Sequence, residues 1–354
     1  MNHIHCSSCS HNPLHCIIPP FMLENMAESS NAKIRALAVS AIEASADARA
    51  TRRFAREMPS MAALMAPDLK KQRLIYDAQK NNISNLPGKL VRQEGDAKHK
   101  DAAVNEAFDH SGTTYDFYLK RFTRNSLDGK GMTIISSVHV GKQLNNAFWN
   151  GRQMAYGDGD GVIFTRFTQS LDVVGHELTH GVVAHECNLE YQGESGALNE
   201  HFADVFGSLV SQWKQKQDAA TAPWTIGHEI MGPGTQVKAL RTFTAAKAFE
   251  NDPNLGSDQQ PKHMRNVYRG ASDNGGVHLN SGIPNHAFYL FAKNIGGNAW
   301  DISGGIWYEA MRKLSSNSDF SEMVRTTLMI ALANHGANST ELKALKLAWK
   351  TVGL

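Results

Sequence analysis

The chain has no block of like charge and no long apolar run. Its 36 Lys and Arg residues nearly balance 34 Asp and Glu over 354 residues, which gives a formal net charge of +2. Such a balance, without clustering, does not predict binding to nucleic acid or to an anionic membrane surface. No stretch approaches the ~18 consecutive apolar residues of a membrane-spanning helix. The 42% content of hydrophobic residues instead predicts a globular protein of two or three domains.

The first residues lack the features of a secretory signal. The stretch from Met1 to Leu23 contains no Lys or Arg, and its short apolar run Cys16-Ile17-Ile18 ends at Pro19 and Pro20. A signal peptide has a basic start and a longer apolar region. Conventional export is therefore not expected, and the sequence favours a cytoplasmic location or release without a conventional signal peptide.

Cysteine is scarce, and its placement argues against a disulfide framework. The chain has 4 cysteines, and Cys187 lies far along the sequence from the other three. A chain of this size does not need disulfides to stabilise its core. The N-terminal tail either binds a metal ion or is a reduced segment without a role, and both interpretations stay open. Its candidate ligands are Cys6, Cys9, Cys16, His3, His5, His11 and His15.

The feature that the sequence does offer is a metal-binding motif, His176-Glu177-Leu178-Thr179-His180, with Glu200 downstream. Residues four apart lie on one helix face, so two imidazoles can bind one ion. Two histidines and a carboxylate leave a fourth position of Zn²⁺ open to water, as catalytic sites do and closed structural sites do not. The five residues alone would arise by chance in about 3% of such chains. Their interpretation therefore depends on the surrounding sequence.

The apolar pattern predicts an order of elements along the chain. An amphipathic helix is expected from Asn31 to about Glu57, followed by a protease-sensitive linker at Met58–Pro67. Short strands and one long helix at Asp101–Thr123 should come next. The zinc helix is expected to begin near Ser170 or Asp172 and to end near Cys187. After a Gly-rich and Pro-rich stretch, four helical patterns predict a C-terminal bundle.

Several separate motifs, in order, carry a resemblance to a known family. The sequence from Asn145 to the C-terminus resembles the thermolysin family of metallopeptidases, and the N-terminal Ile18-Pro19-Pro20-Phe21-Met22-Leu23 looks like its protealysin branch. The motifs are Asn145-Asn146-Ala147-Phe148-Trp149-Asn150-Gly151, Asp172-Val173-Val174-Gly175-His176-Glu177-Leu178-Thr179-His180, Gly196-Ala197-Leu198-Asn199-Glu200 and Asp273-Asn274-Gly275-Gly276-Val277-His278-Leu279-Asn280-Ser281-Gly282. Together they are much more specific than the zinc motif alone.

The resemblance implies an α+β, thermolysin-like zincin fold. A β-rich N-terminal lobe and a helical C-terminal lobe should enclose the active-site helix, with a short N-terminal propeptide in front. The domains expected on this basis are residues 1–62 as the propeptide, 63–187 as the N-terminal lobe with the zinc helix, and 188–354 as the C-terminal lobe.

The resemblance also implies a role for each residue of the reaction centre. Zinc is bound by His176, His180 and Glu200, and Glu177 is the general base. Tyr191 and His278 donate hydrogen bonds to the oxyanion, and Asp273 orients the ring of His278. Asp204 fixes the tautomer of a zinc histidine. The family has Ser before that aspartate, whereas this chain has Ala203.

For the substrate, the resemblance implies an edge strand that pairs with an extended peptide and a pocket for large hydrophobic side chains. Arg241 contacts the carbonyl of the residue after the cut. The strand residues are Asn146, Ala147 and Trp149, and the pocket wall is Phe164, Phe167, Val173 and Leu240. Each wall residue has an ordinary alternative role as core. The implied activity is a neutral endopeptidase that cleaves protein and peptide substrates before large hydrophobic residues.

Calcium is doubtful. Relatives bind it near the zinc helix through several carboxylates, of which Asp172 is present here, while Ser211, Thr225 and His228 stand where acids are expected. Hard cations need several oxygen ligands. The run Gly157-Asp158-Gly159-Asp160-Gly161 is also expected to form a turn and not a calcium loop. We therefore predict no double calcium site.

The N-terminal segment is then interpreted as an intramolecular inhibitor that the enzyme removes by self-cleavage within Met58–Pro67. Cys6, Cys9, Cys16 or a nearby histidine is a candidate to cap the open position of the zinc. The main alternative function is a catalytically inactive zincin-like binding protein, although every catalytic position is filled. A structural metalloprotein is a poorer fit, because three ligands leave a structural zinc site incomplete.

Overall fold

A computed structural model describes residues 15–55 and 70–354 of the chain. The tail with Cys6 and Cys9 lies outside the described residues, as does the predicted linker at Met58–Pro67. The predictions for those two stretches stay predictions.

The N-terminal segment lies against the rest of the molecule. It consists of strand β1 (His15–Cys16), helix α1 (Pro20–Ala27) and helix α2 (Ala32–Ala55). Pro20 is the first residue of α1, so the chain turns helical directly after Pro19. A proline fits the first helical turn, since its fixed φ is helical and its missing N–H would have no partner there. Ile17 and Ile18 are fully buried.

The β-rich lobe is built on a six-stranded mixed sheet in the order β1-β5-β6-β4-β2-β3. Its remaining strands are β2 (Arg73–Asp77), β3 (Lys89–Gln93), β4 (Ile134–Val138), β5 (Ala147–Trp149) and β6 (Met154–Tyr156). The N-terminal strand β1 pairs antiparallel with β5, with Cys16 opposite Phe148. The edge of the sheet is thus extended by a strand from the N-terminal segment.

Three helices connect the sheet to the rest of the molecule: α3 (Ala102–Phe122), α4 (Leu171–Glu186) and α5 (Gly193–Gln215). The predicted bounds of α3 and α4 are confirmed. Helix α3 is not split at Gly112. A Cβ at that position would lie 2.1 Å from the Arg73 guanidinium, so the glycine makes room for a buried arginine.

Helices α4 and α5 approach each other closely, because both carry glycine where they cross. A Cβ on Gly207 of α5 would lie 2.5 Å from the carbonyl oxygen of Asp172 and 2.8 Å from the amide nitrogen of His176. A Cβ on Gly175 of α4 would lie 3.1 Å from the Cα of Gly207. The glycines lower helix propensity but bring the helix of Glu200 against the zinc helix.

The C-terminal lobe is helical, as predicted. A small sheet of β7 (Thr225–Ile226) and β8 (Arg241–Thr242) precedes α6 (Ser272–Asn280), α7 (Gly282–Ile295), α8 (Ile302–Met311), α9 (Phe320–His335) and α10 (Thr340–Thr351). In the core, the rings of Trp307 and Trp349 stack with centroids 5.8 Å apart. No helix within residues 15–55 and 70–354 has both the length and the apolar character needed to cross a bilayer.

Candidate active site

Three potential metal ligands converge where α4 crosses α5. The ligand atoms of His176, His180 and Glu200 lie within 4.8 Å of one another. All three side chains are at most 1% exposed. The helical spacing of the two histidines and the glycine contact between the helices bring these residues together.

The donor set fits a zinc ion. The Nδ1 atoms of His176 and His180 face oxygen acceptors on Asp204 and Asn199, at 2.8 and 2.9 Å. Each Nε2 therefore presents a lone pair, and the two Nε2 atoms lie 3.1 Å apart. Two lone pairs at that distance repel each other unless a cation lies between them. A tetrahedral Zn²⁺ with ordinary Zn–N bonds would hold them about 3.3 Å apart.

Two buried oxygens support the same conclusion. Oε2 of Glu200 and Oε1 of Glu177 have no hydrogen-bond partner among the described residues. Oε2 of Glu200 lies 3.5 Å from Nε2 of His176. Buried carboxylate oxygens without donors are costly in free energy unless a cation or water satisfies them.

Asp204 holds the outer face of His176. Its carboxylate also accepts hydrogen bonds from Arg241 at 2.9 Å and from Asn285 at 2.9 Å. Burial alone would raise the pKa of Asp204, but the charge of Arg241 and the bond from His176 outweigh it and keep the pKa below its ordinary value. Asp204 is thus an anion that fixes the His176 tautomer.

Asn199 does the same for His180, a role that the sequence did not reveal. It lies one residue before Glu200 on α5, and its side-chain N–H₂ donates to the carbonyl of Leu189 at 3.2 Å. That bond turns the amide oxygen toward His180. The clue in the sequence was its position beside a ligand, but only the fold shows which way the side chain points.

Glu177 is completely buried next to the metal ligands. Its Oε2 accepts a hydrogen bond from the backbone N–H of Trp149 at 2.9 Å. Burial raises the pKa of Glu177 well above its ordinary value, and the nearby Cys16 and Glu200 add to that effect. A carboxylate with a raised pKa suits a group that must accept and release a proton.

Two hydrogen-bond donors stand on the other side of the ligands. The hydroxyl of Tyr191 donates to Oε1 of Glu200 and lies 3.1 Å from Nε2 of His278. Burial, together with Glu200, raises the pKa of Tyr191 well above its ordinary value. The phenol therefore keeps its proton and remains a donor.

Asp273 orients His278 from an unusual piece of backbone. Four consecutive residues from Asp273 to Gly276 have positive φ angles of 54, 51, 82 and 79°, which makes a left-handed turn at the start of α6. The turn places Oδ1 of Asp273 2.6 Å from Nδ1 of His278. Burial alone would lower the pKa of His278, but Asp273 and Glu200 outweigh it and raise the pKa well above its ordinary value.

The edge strand β5 and Arg241 bind the backbone of the N-terminal segment. The N–H of Ile17 donates to the carbonyl of Ala147 at 3.2 Å, and the N–H of Ile18 donates to Oδ1 of Asn146 at 3.4 Å. Arg241 donates from Nη1 to the carbonyl of Ile17 at 2.9 Å. The predicted peptide-binding residues therefore surround one extended strand.

His278 also contacts that strand. Its Nε2 donates to the carbonyl of Cys16 at 3.0 Å. Cys16 is 5% exposed, and its thiol lies 3.6 Å from the carbonyl of Ile18. The thiol is not part of the three-residue ligand cluster.

The predicted pocket wall is buried, but burial alone does not distinguish a pocket wall from the hydrophobic core. Phe164 and Phe167 form an aromatic pair with centroids 5.8 Å apart. Together with Val173 and Leu240 they are at most 1% exposed. Burial of this kind is equally expected of core residues, so their role as a pocket wall stays a prediction.

A cavity of about 240 Å³ lies beside the zinc helix where calcium would be expected in the family. Its lining is mostly neutral, with Asp172 and Glu229 as the carboxylates among the lining residues. Asp172 already accepts hydrogen bonds from Ser170 at 2.5 Å and from the amide of Gly227 at 3.1 Å. The absence of a double calcium site therefore stays a prediction.

The two-lobed fold and this donor set define a zinc-dependent metalloendopeptidase. Family models described as the thermolysin metallopeptidase catalytic domain and alpha-helical domain match residues 55–184 and 187–354. The chain therefore belongs to the thermolysin family of metallopeptidases, and the fold class predicted from the sequence is confirmed.

Individual relatives agree with the family assignment. The "Extracellular metalloprotease" of Pectobacterium carotovorum subsp. carotovorum is 47% identical over 80% of this chain and 81% of the relative. "Protease PrtS" of Photorhabdus sp. (strain Az29) is 45% identical over 80% and 76%. The solved structure of the "Precursor of Protealysin, Metalloproteinase from Serratia proteamaculans" is 43% identical, with a TM-score of 0.86 over 96% of this chain and 99% of that one. By its title, that structure is of a precursor form.

The predicted location is wrong. The sequence favoured the cytoplasm or release without a signal peptide, whereas the Pectobacterium relative is named an extracellular enzyme. The prediction relied on the missing signal features at Met1 to Leu23.

Proposed function

We propose that this chain is the precursor of a neutral zinc endopeptidase that cleaves peptide bonds on the amino side of large hydrophobic residues. The observation that carries the proposal is the position of residues 16–18. Their extended backbone is hydrogen-bonded in the cleft beside the zinc ligands, which is how an edge strand would bind a peptide substrate.

The hydrogen bonds define a register for that peptide. The carbonyl of Cys16 meets His278, and the carbonyl of Ile17 meets Arg241. The Cys16–Ile17 peptide bond therefore lies where the bond to be cut would lie, and Ile17 takes the place of the residue after the cut. Because the Ile17 side chain is fully buried, the register supports a preference for a large hydrophobic residue at that place.

The proposed pocket for that side chain is formed by the four buried residues named above. In this proposal Trp149, Asn146 and Ala147 hold the peptide backbone, and the pocket decides which side chain is accepted. The wall residues are Phe164, Phe167, Val173 and Leu240.

The remaining roles follow from the chemistry of peptide hydrolysis. His176, His180 and Glu200 would hold a zinc ion, which would supply a Lewis acid for the peptide carbonyl and lower the pKa of a water molecule. Glu177 takes the proton of that water and passes it to the leaving amine. Tyr191 and His278 donate hydrogen bonds to the oxygen that gains negative charge. Asp273 keeps the ring of His278 aimed at that oxygen.

We also propose that residues 1–62 are an intramolecular inhibitor. Residues 16–18 fill the peptide-binding edge and so exclude a substrate. We propose the division into 1–62, 63–187 and 188–354. The helical family match begins at residue 187, next to the last of these boundaries, whereas the catalytic match begins at residue 55, within 1–62. Self-cleavage within Met58–Pro67 would separate the inhibitor from the two lobes. The cut is proposed there because Met61, Leu64 and Met65 are hydrophobic residues that could stand directly after it.

The name of the Pectobacterium relative supports action outside the cell. We therefore propose that the matured enzyme degrades protein and peptide substrates in the surroundings of the cell that produces it.

Mapping the cut sites tests this function. The matured enzyme is incubated with an unfolded protein, and the products are identified by mass spectrometry. We expect Leu, Ile, Phe, Val or Met after most cuts. Products in which charged residues stand directly after most cuts would contradict the proposed specificity, and absence of any cut by zinc-loaded matured protein would favour the inactive binding protein instead.

A further inference from the structure

A chain of buried hydrogen bonds runs from helix α8 to a zinc ligand. Nε1 of Trp307 lies 2.6 Å from Nε2 of His201, and Nδ1 of His201 lies 2.7 Å from Oδ1 of Asn285. Nδ2 of Asn285 then lies 2.9 Å from Oδ2 of Asp204, and Oδ1 of Asp204 lies 2.8 Å from Nδ1 of His176. All five side chains are at most 1% exposed.

The indole of Trp307 determines the direction of every bond in this chain. An indole N–H can only donate, so Nε2 of His201 must be its acceptor. The proton of the neutral His201 ring is then on Nδ1, where it donates to the oxygen of Asn285. With its oxygen fixed on that side, the Asn285 amide turns its N–H₂ toward Asp204.

Asn285 gives Asp204 a donor that is independent of Arg241. Arg241 donates to Asp204 from Nε and Nη2 and to the carbonyl of Ile17 from Nη1, so it contacts both Asp204 and the peptide in the cleft. Asn285 contacts no part of that peptide among the hydrogen bonds described above. It can therefore hold Oδ2 of Asp204 whether or not Arg241 is engaged with a substrate.

We propose that His201, Asn285 and Trp307 are positioning residues that lock Asp204, and through it the zinc-binding tautomer of His176, in place. His201 directly follows Glu200 on α5, but successive residues on a helix point about 100° apart. His201 therefore lies on a different face of α5 from Glu200 and reaches Asp204 through Asn285 on α7. It is not one of the three metal ligands. The inference rests on the proposed role of His176 as a zinc ligand.

The zinc affinity of a Trp307→Phe variant tests the inference. The substitution removes the indole N–H that sets the direction of the hydrogen bonds from His201 to Asp204. It keeps an aromatic ring that can stack on Trp349. Trp349→Phe is the matched control. Trp349 is 1% exposed, stacks on Trp307, and donates to Thr327 at 3.0 Å, away from Asp204. Both changes are made in a Glu177→Gln background, so that self-digestion does not interfere.

Competition with a zinc chelator gives the dissociation constant for each folded variant. We expect Trp307→Phe to bind zinc about 3- to 10-fold more weakly than Trp349→Phe, somewhat less than the 10- to 100-fold seen when a direct partner of a metal ligand is lost. Equal affinities would overturn the inference. Asn285→Ala, which removes the donor to Asp204, should weaken zinc binding in the same direction and provides the test if Trp307→Phe does not fold.

The parent protein separates this inference from the proposed function. If the Glu177→Gln parent binds one zinc per chain and His176→Ala loses it, the metal site stands, and the variants test only the positioning residues. A parent that binds no zinc would contradict the proposed metal site itself.

Discussion

At the scale of single residues, the proposed reaction depends on the ability of Glu177 to accept a proton. Its one hydrogen bond among the described residues comes from the Trp149 backbone, which leaves Oε1 available toward the zinc ligands. Glutamine has the same shape but cannot accept the proton of the attacking water.

Replacing Glu177 with Gln should therefore lower the rate of peptide hydrolysis about 10²- to 10⁴-fold with zinc content unchanged. The rate of cleavage of a short peptide and the zinc content measure both effects. The precursor carrying this change should also stay full length. A variant that retains more than a tenth of the activity would contradict the assigned role, and Glu309→Gln on the surface of α8 is the control.

His139 provides a pH-dependent contribution to stability away from the active site. Its ring lies 2.8 Å from Asp158 and 3.2 Å from Asp101, which also accepts hydrogen bonds at the start of α3. The hydrogen bond that the His139 ring donates to Asp158 raises the pKa of His139 to about 9, with burial opposing this rise and the charges of both carboxylates adding to it.

Because the folded pKa lies above the ordinary value of 6.5, the charged ring stabilises the fold fully below pH 6.5, and that contribution is lost as the pH rises through about 9. His139→Asn should thus be less stable than the parent at pH 6 and closer to it at pH 10. Asn is chosen because His139 has a φ of 56°, which Asn tolerates. Urea unfolding at both pH values measures the difference, and a constant difference would contradict this assignment.

The sequence predicted much of the site at this scale, but not all of it. The three zinc ligands, Glu177 and Asp204 could be named because helical spacing and a family resemblance both apply to them. Asn199, His201 and Asn285 could not, because the role of a polar side chain depends on which way it points in a buried network. The direction in which a side chain points is set by packing in the folded protein, and residue spacing along the sequence does not show it.

At the scale of elements, the glycine contact between α4 and α5 positions the zinc ligands. Gly207→Ala would place a methyl group against the backbone of His176, so it should destabilise the protein by about 1–3 kcal/mol through overpacking and weaken zinc binding. Gly305→Ala in α8 is the control, since its Cβ would meet nothing within 4 Å. That change should raise stability by about 0.5–1 kcal/mol. Thermal unfolding and chelator competition test the pair, and similar behaviour of both variants would contradict the close contact.

Long elements with a strong periodic pattern were predicted well, and short ones were not. The helices α3, α4 and α7 to α10 follow clear apolar stripes. Helix α6 was missed, because its first residues form a left-handed turn that has no helical pattern. Strand β1 was missed because two residues carry no periodicity, and its existence depends on pairing with β5 across most of the chain.

At the scale of the whole molecule, residues 16–18 contact both lobes, through β5 on one side and through Arg241 and His278 on the other. We propose that these contacts block the cleft. Ile17→Asp should release that block in the precursor, because a buried Ile side chain contributes about 1.5–3 kcal/mol and a buried charge adds a further penalty. We expect hydrolysis of a short peptide by the uncleaved precursor to rise at least 10-fold. Val39→Asp is the control, since Val39 lies on α2 with 46% of its surface exposed. Equal activity of the two variants would contradict inhibition by residues 16–18.

The central claim is that the matured chain is a zinc endopeptidase, and casein hydrolysis tests it most directly. The rate is measured with matured protein as prepared, after treatment with a zinc chelator, and after zinc is added back. The account predicts hydrolysis that is lost with the chelator and restored by zinc, in proportion to the zinc bound per chain. Hydrolysis that persists without zinc, or no hydrolysis by fully zinc-loaded matured protein, would contradict it.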